Sequence, residues 1–102
     1  MSKNRTKESL IREISNIVVH EIVAKHTNKP ESMHYLKSEI IEYRNRVEKT
    51  VEMYNWNSTD LAHIEKKSLI LIKDKLANKY SDVKYSEEEA ITKLKKIIEE
   101  IL

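Results

Sequence analysis

Two carboxylate-x-x-His pairs are the first features of this chain that suggest chemistry, Glu31-Ser-Met-His34 and Asp60-Leu-Ala-His63. Glu-x-x-His motifs on two helices are part of the ligand set of a di-metal carboxylate bundle. Their placement argues against that use. Each pair opens its helix, and successive antiparallel helices put those openings about 25 Å or more apart at the helical rise. Each acid is also a good first-turn residue, because the helix dipole favours anions there. His20 and His26 are six positions apart, not the three or four that stack ligands on one helical face. No metal and no cofactor is expected.

Other catalytic arrangements are incomplete. Glu39-Ile-Ile-Glu42 is half of the Mg²⁺-binding pattern of helical nucleotide pyrophosphohydrolases, but no Glu-x-x-Asp follows it. The Arg-x₄-His arrangement of small helical ribonucleases is missing after Arg12, Arg44 and Arg46. The sequence has no glycine for a phosphate loop and no cysteine for a thiolate nucleophile, a zinc site or a disulfide. The expectation is a protein without catalysis of its own.

The elements that must position these residues follow from composition and periodicity. The chain has 102 residues, a single-domain length, of which 39% are hydrophobic and 35% charged. With no glycine and one proline, the positive-φ turns of short hairpins have no natural host, which leaves an all-α fold. The balance of 19 basic against 17 acidic residues nominates neither nucleic acid nor membrane as partner. The basic start is followed by an apolar stretch broken by Arg12, Glu13, His20 and Glu21, so it is not a secretory signal, and a cytoplasmic protein is expected.

Apolar residues at helical spacing predict a first helix over 6–25, ended by His26 to Pro30. Pro30 suits the first turn of a second helix, over 31–54. There Met33, Leu36, Ile40, Tyr43, Val47, Thr50 and Tyr54 alternate steps of three and four, the pattern of a helix packed lengthwise on another. A third helix is predicted over 60–79, with Ser58 or Thr59 as its cap and a face of Leu61, Ala62, Leu69, Ile72 and Leu76. Ser86 and Glu89 form a capping box that opens a fourth. The predicted architecture is an antiparallel up-down four-helix bundle with a long central helical hairpin, one domain over 1–102 with residues 1–5 as a flexible basic arm.

Glu65 falls in the middle of the third helix's apolar face, level with Thr50 on the second. The two are expected to meet as a buried polar pair that sets helix register. Trp56 is expected to close the second helix by packing on Val51, with Asn55 left-handed. Val19, Val23, Ile41 and Ile70 lie outside the main stripes and predict a further buried surface, most simply a homodimer. The function these readings favour is protein–protein association, as homo-oligomer, adaptor or inhibitor. The alternative is nucleic-acid binding through Lys3, Arg5 and Lys7 of the arm with Lys66, Lys67 and Lys73 of the third helix.

Overall fold

The computed structural model describes residues 2–26 and 30–102, and among them the chain forms four helices. These are α1 (Lys3–His26), α2 (Pro30–Val51), α3 (Ser58–Lys79) and α4 (Glu87–Ile101). The all-α bundle expected from the missing glycine is what forms, and no described residue has a positive φ. Pro30 opens α2, where a residue without an N–H costs no hydrogen bond. Residues 27–29, inside the expected break, lie outside the described residues. Among the described residues no helix is long and apolar enough to cross a membrane.

Helix directions alternate. Lys7 in α1 reaches Asp60 in the first turn of α3, so these two run parallel, whereas His26 at the end of α1 reaches Glu89 at the start of α4. The first turn of α1 contains Lys3, which also binds Asp60, so the segment expected as a flexible arm is helical from Lys3 and docked.

The packing order departs from a central α2–α3 hairpin. Among the described residues α2 and α3 do not touch; α1 packs against all three other helices and is the centre of the bundle. The reason lies in α1 itself, where Leu10, Ile11, Ile14, Ile17, Val18, Val19, Ile22, Val23 and Ala24 are all buried. These spread over much more than one stripe, and a helix apolar around most of its circumference is stable only when surrounded. By contrast α2 has one stripe, Leu36, Ile40, Tyr43 and Val47, which α1 takes up. Val19 and Val23 are therefore core, 3% and 8% exposed, and not surplus interface.

On α3 the inward ridge is Asp60, Ile64, Ser68, Ile72 and Leu76, in steps of four. Two of its members are polar, which conceals it from a reading by hydrophobicity. Ala62 is exposed and Leu69 half-buried, while Glu65, about 100° round from Ile64, sits half-buried on the ridge's flank.

Where α1 crosses α3 the facing residues are small. Ser15 and Ser68 are both fully buried; the Ser15 hydroxyl donates to the Ile11 carbonyl at 2.7 Å and lies 3.3 Å from the Ser68 carbonyl. The Ser68 hydroxyl has no partner. Ser68→Ala should consequently stabilise the fold by about 1 kcal/mol, since it deletes an unsatisfied group in a helix. Ser68→Leu should cost about 1–3 kcal/mol by forcing the helices apart. Urea titrations of both variants test this, and a destabilised alanine variant would contradict it.

The helix ends are closed locally. Asn57, one residue earlier than expected, caps α3: its side chain accepts from the Asp60 N–H at 2.8 Å, and the Asp60 carboxylate accepts from the Asn57 N–H at 3.2 Å. Ser86 caps α4, accepting from the Glu89 N–H at 3.1 Å. Trp56 closes α2 without a left-handed Asn55: its indole N–H donates to the Val51 carbonyl at 2.9 Å, satisfying one of the free carbonyls of the last turn.

Candidate functional site

Because α2 and α3 stand apart, no helix covers the side of α1 between them, and side chains from the two helices border it as a trench. Glu13, Asn16 and His20 lie on its floor at helical spacing and are half-buried, with Arg12 exposed beside them. One wall is α2. The Tyr43 ring lies 5.6 Å from the His20 ring, centroid to centroid, and the Arg46 guanidinium sits 5.6 Å from the centre of the same tyrosine. Glu39, one turn earlier on α2, is close enough to act on His20. The other wall is α3, from which Lys75 donates to the Asn16 side-chain oxygen and Lys79 follows one turn on.

The trench pushes its titratable groups toward their neutral forms. Burial raises the Glu13 carboxyl above the ordinary carboxylate value, against the pull of Arg46 and Arg12. Burial lowers the His20 imidazole; Glu39 opposes this, while Lys75 and Lys79 add to it. Burial also lowers the Lys75 ammonium, helped by the like charges of Lys79 and Arg12. Two polar atoms of the floor, Glu13 Oε2 and His20 Nδ1, are shielded from water without a hydrogen-bond partner. Toward the end of α1, Val23 lines a separate hollow together with Tyr35, Leu36, Tyr80 and Val83. Tyr35 lines that hollow, and a hydrogen bond to the Glu39 carboxylate raises its hydroxyl above the ordinary tyrosine value. The arrangement sets Lys75 and Lys79 on one side of the polar stripe of α1, and the Tyr43 ring with Arg46 on the other.

The residues singled out from sequence are mostly elsewhere. Thr50 and Glu65 do not form a layer: their helices do not touch, and the Thr50 hydroxyl donates to the Arg46 carbonyl of its own helix at 2.9 Å. Of the six candidate nucleic-acid contacts, Lys3 and Lys7 are bound to Asp60 at 2.9 and 2.7 Å, and Lys73 is paired with Glu87. Arg5, Lys66 and Lys67 are exposed. Ile41 and Ile70 are exposed as expected, on helices that do not touch.

Asp60 belongs to architecture. It is 7% exposed, and its bonds to Lys7 and Lys3 hold the carboxyl far below the usual carboxylate range against the opposing effect of burial. It ties the start of α1 to the start of α3 and is unavailable to His63 as a metal partner. Glu31 and His34 start α2 at the other end of the bundle, and among the described residues no group of three or more His, Cys, Asp or Glu could hold a metal ion. Glu89 has a similar tying role: burial raises its carboxyl, but the bonds to His26 and Lys25 outweigh it and hold the value low.

Sequence reasoning missed Arg12, Glu13, Asn16, Tyr43, Lys75 and Lys79 as one site. A signal existed in the polar stripe Glu13, Asn16, His20 on an otherwise apolar helix, but weighing histidines only as metal ligands passes over it. The chain matches no protein-family model, no curated protein and no solved structure.

Proposed function

We propose that this protein works in the cytoplasm by protein–protein association, without catalysis of its own, as an adaptor or inhibitor that holds a segment of another protein on the uncovered side of α1. The observation that carries this reading is the trench floor, where Glu13 Oε2 and His20 Nδ1 are hidden from water yet unpartnered within the chain. Buried polar atoms are normally hydrogen-bonded, so these two mark a place where the chain's own packing leaves polar groups unsatisfied, and a segment whose docking displaces the covering side chains would supply the missing bonds. Nucleic-acid binding is less well supported, because Lys3, Lys7 and Lys73 spend their charges on Asp60 and Glu87. A photo-crosslinking phenylalanine analogue in place of Tyr43 tests the proposal in cells of the source organism. It should yield a discrete protein adduct that the same analogue at the exposed Lys66 does not; adducts to nucleic acid alone would reject the reading.

A second reading, self-association, is favoured by a specific surface. Ile41 is 63% exposed and shares an apolar groove on α2 with Met33 and Ile40, bordered by Lys37 and Lys93. A β-branched residue so placed on a helix surface suits a contact between copies. Light scattering after size exclusion should then give about twice 12.1 kDa, and Ile41→Glu should return the monomer mass with helicity intact. A monomer at tens of micromolar wild-type protein would remove this second reading and leave the trench proposal standing.

A further inference from the structure

The groove beside Ile41 has a charge pattern of its own. It opens between α1, α2 and α4, because α2 and α4 both pack on α1 but meet each other less closely than any other touching pair. Its floor is aliphatic: Ala24 is buried, Met33 and Ile40 are half-buried, and Ile41 is exposed. The hollow measures about 550 Å³, a size that small-ligand pockets commonly have. The flexible thioether of Met33 lets its wall adjust to an alkyl chain.

Three lysines from three helices rim that floor, Lys25 on α1, Lys37 on α2 and Lys93 on α4. The carboxylates around it are already committed. Glu21, the one acid lining the groove, is bound by Arg44 at 3.5 Å, and the same guanidinium holds Glu100 at 3.1 Å. Glu89, one turn before Lys93, turns instead to His26 at 3.2 Å and Lys25 at 3.4 Å. Among the described residues neither Lys37 nor Lys93 has an ion pair. An aliphatic floor under unpaired cations complements a molecule with an alkyl chain and one anionic head: the chain covers the apolar surface while the head reaches the ammonium groups. The concave shape suits a single chain, whereas a flat lipid surface would reach Ile41 and leave Ala24 beneath it untouched.

We infer that this groove binds a free single-chain carboxylate of the fatty-acid class, its alkyl chain on Ala24, Met33, Ile40 and Ile41 and its carboxylate between Lys37 and Lys93. The site shares no residue with the trench and does not depend on association there. The test is an NMR titration of the isotope-labelled full chain with decanoate below its micelle concentration. Decyltrimethylammonium, which keeps the chain and reverses the head, and acetate, which keeps the head alone, are the comparison probes.

Decanoate should move the methyl resonances of Ala24, Met33, Ile40 and Ile41 in a saturable way, and the other two probes should not. Octanoate should bind more weakly, by about two- to fourfold for each methylene removed. Lys37→Glu combined with Lys93→Glu should weaken decanoate binding about tenfold, and Lys66→Glu, exposed on α3, less than twofold. Equal binding of decyltrimethylammonium, binding indifferent to the double charge reversal, or no shift at about 1 mM decanoate would each overturn the assignment. If light scattering finds a dimer through Ile41, decanoate should return the monomer mass. A dimer that decanoate leaves intact, with no resonance moved, would assign the groove to a second copy and end this inference while leaving the trench proposal standing.

Discussion

Val19→Glu should unfold this protein or bring it close to unfolding, while Ile41→Glu should change its stability by no more than about 0.5 kcal/mol. The two positions look alike in the sequence, both being β-branched residues off their helix's main stripe, but they differ in the bundle. Val19 is 3% exposed on the helix that three others enclose, and Ile41 is 63% exposed on a helix covered on one side. A carboxylate at Val19 would lose its hydration among the apolar residues of the core, a cost of at least about 3 kcal/mol against a stability of about 5–15 kcal/mol for a small domain. Thermal and urea unfolding by circular dichroism measure both variants. Equal tolerance at the two positions would mean that α1 is not the central helix.

Acid should destabilise the protein in two separate windows. In the first, burial holds the folded His20 pKa below its ordinary 6.5, so the unfolded chain binds a proton that the folded chain resists. Stability therefore falls as pH drops through 6.5 and levels off below the folded value. In the second, the Asp60 carboxyl is depressed below its ordinary 3.8 by Lys7, Lys3 and the Asn57 N–H. The stabilisation from those bonds is fully present above 3.8 and is lost as pH falls below it toward the folded value. Glu89, also depressed, adds to the second window with the same sign.

Melting temperatures followed against pH should show His20→Gln flattening the first window only. Asp60→Asn should flatten the second while lowering the melting temperature at pH 7 by several degrees, because the asparagine keeps an acceptor for Asn57 but loses both lysine pairings. An Asp60→Asn profile parallel to wild type at low pH would exclude Asp60 as the main acid-sensitive tie.

What could be read from the residues alone was local. Helix content followed from the absence of glycine, because a chain without it has few hosts for left-handed backbone. The start of α2 at Pro30 and the cap at Ser86 followed from which residues can satisfy or dispense with backbone hydrogen bonds at helix ends, and both stand in the structure. The apolar stripe of α2 was legible because its buried members are apolar. So was the separation of Glu31-x-x-His34 from Asp60-x-x-His63, which needs only helix lengths and alternating direction.

Which helix touches which was decided only by the tertiary structure. A short connection makes α2 and α3 successive and antiparallel, yet it does not oblige them to pack, and the demand of α1 for cover on three sides pulls them apart across it. The α3 ridge was hidden for a related reason. Its polar members Asp60 and Ser68 are buried through pairing with Lys3 and Lys7 on α1 and through close approach to Ser15, and such relations between distant residues leave no mark on hydrophobic periodicity. Once Ser68, not Glu65, faces the core, the Thr50–Glu65 layer disappears and the polar stripe of α1 is left open between two walls. The trench is thus a consequence of packing order: it exists because burying the apolar surface of α1 outweighs the adjacency that the chain's connections alone would suggest.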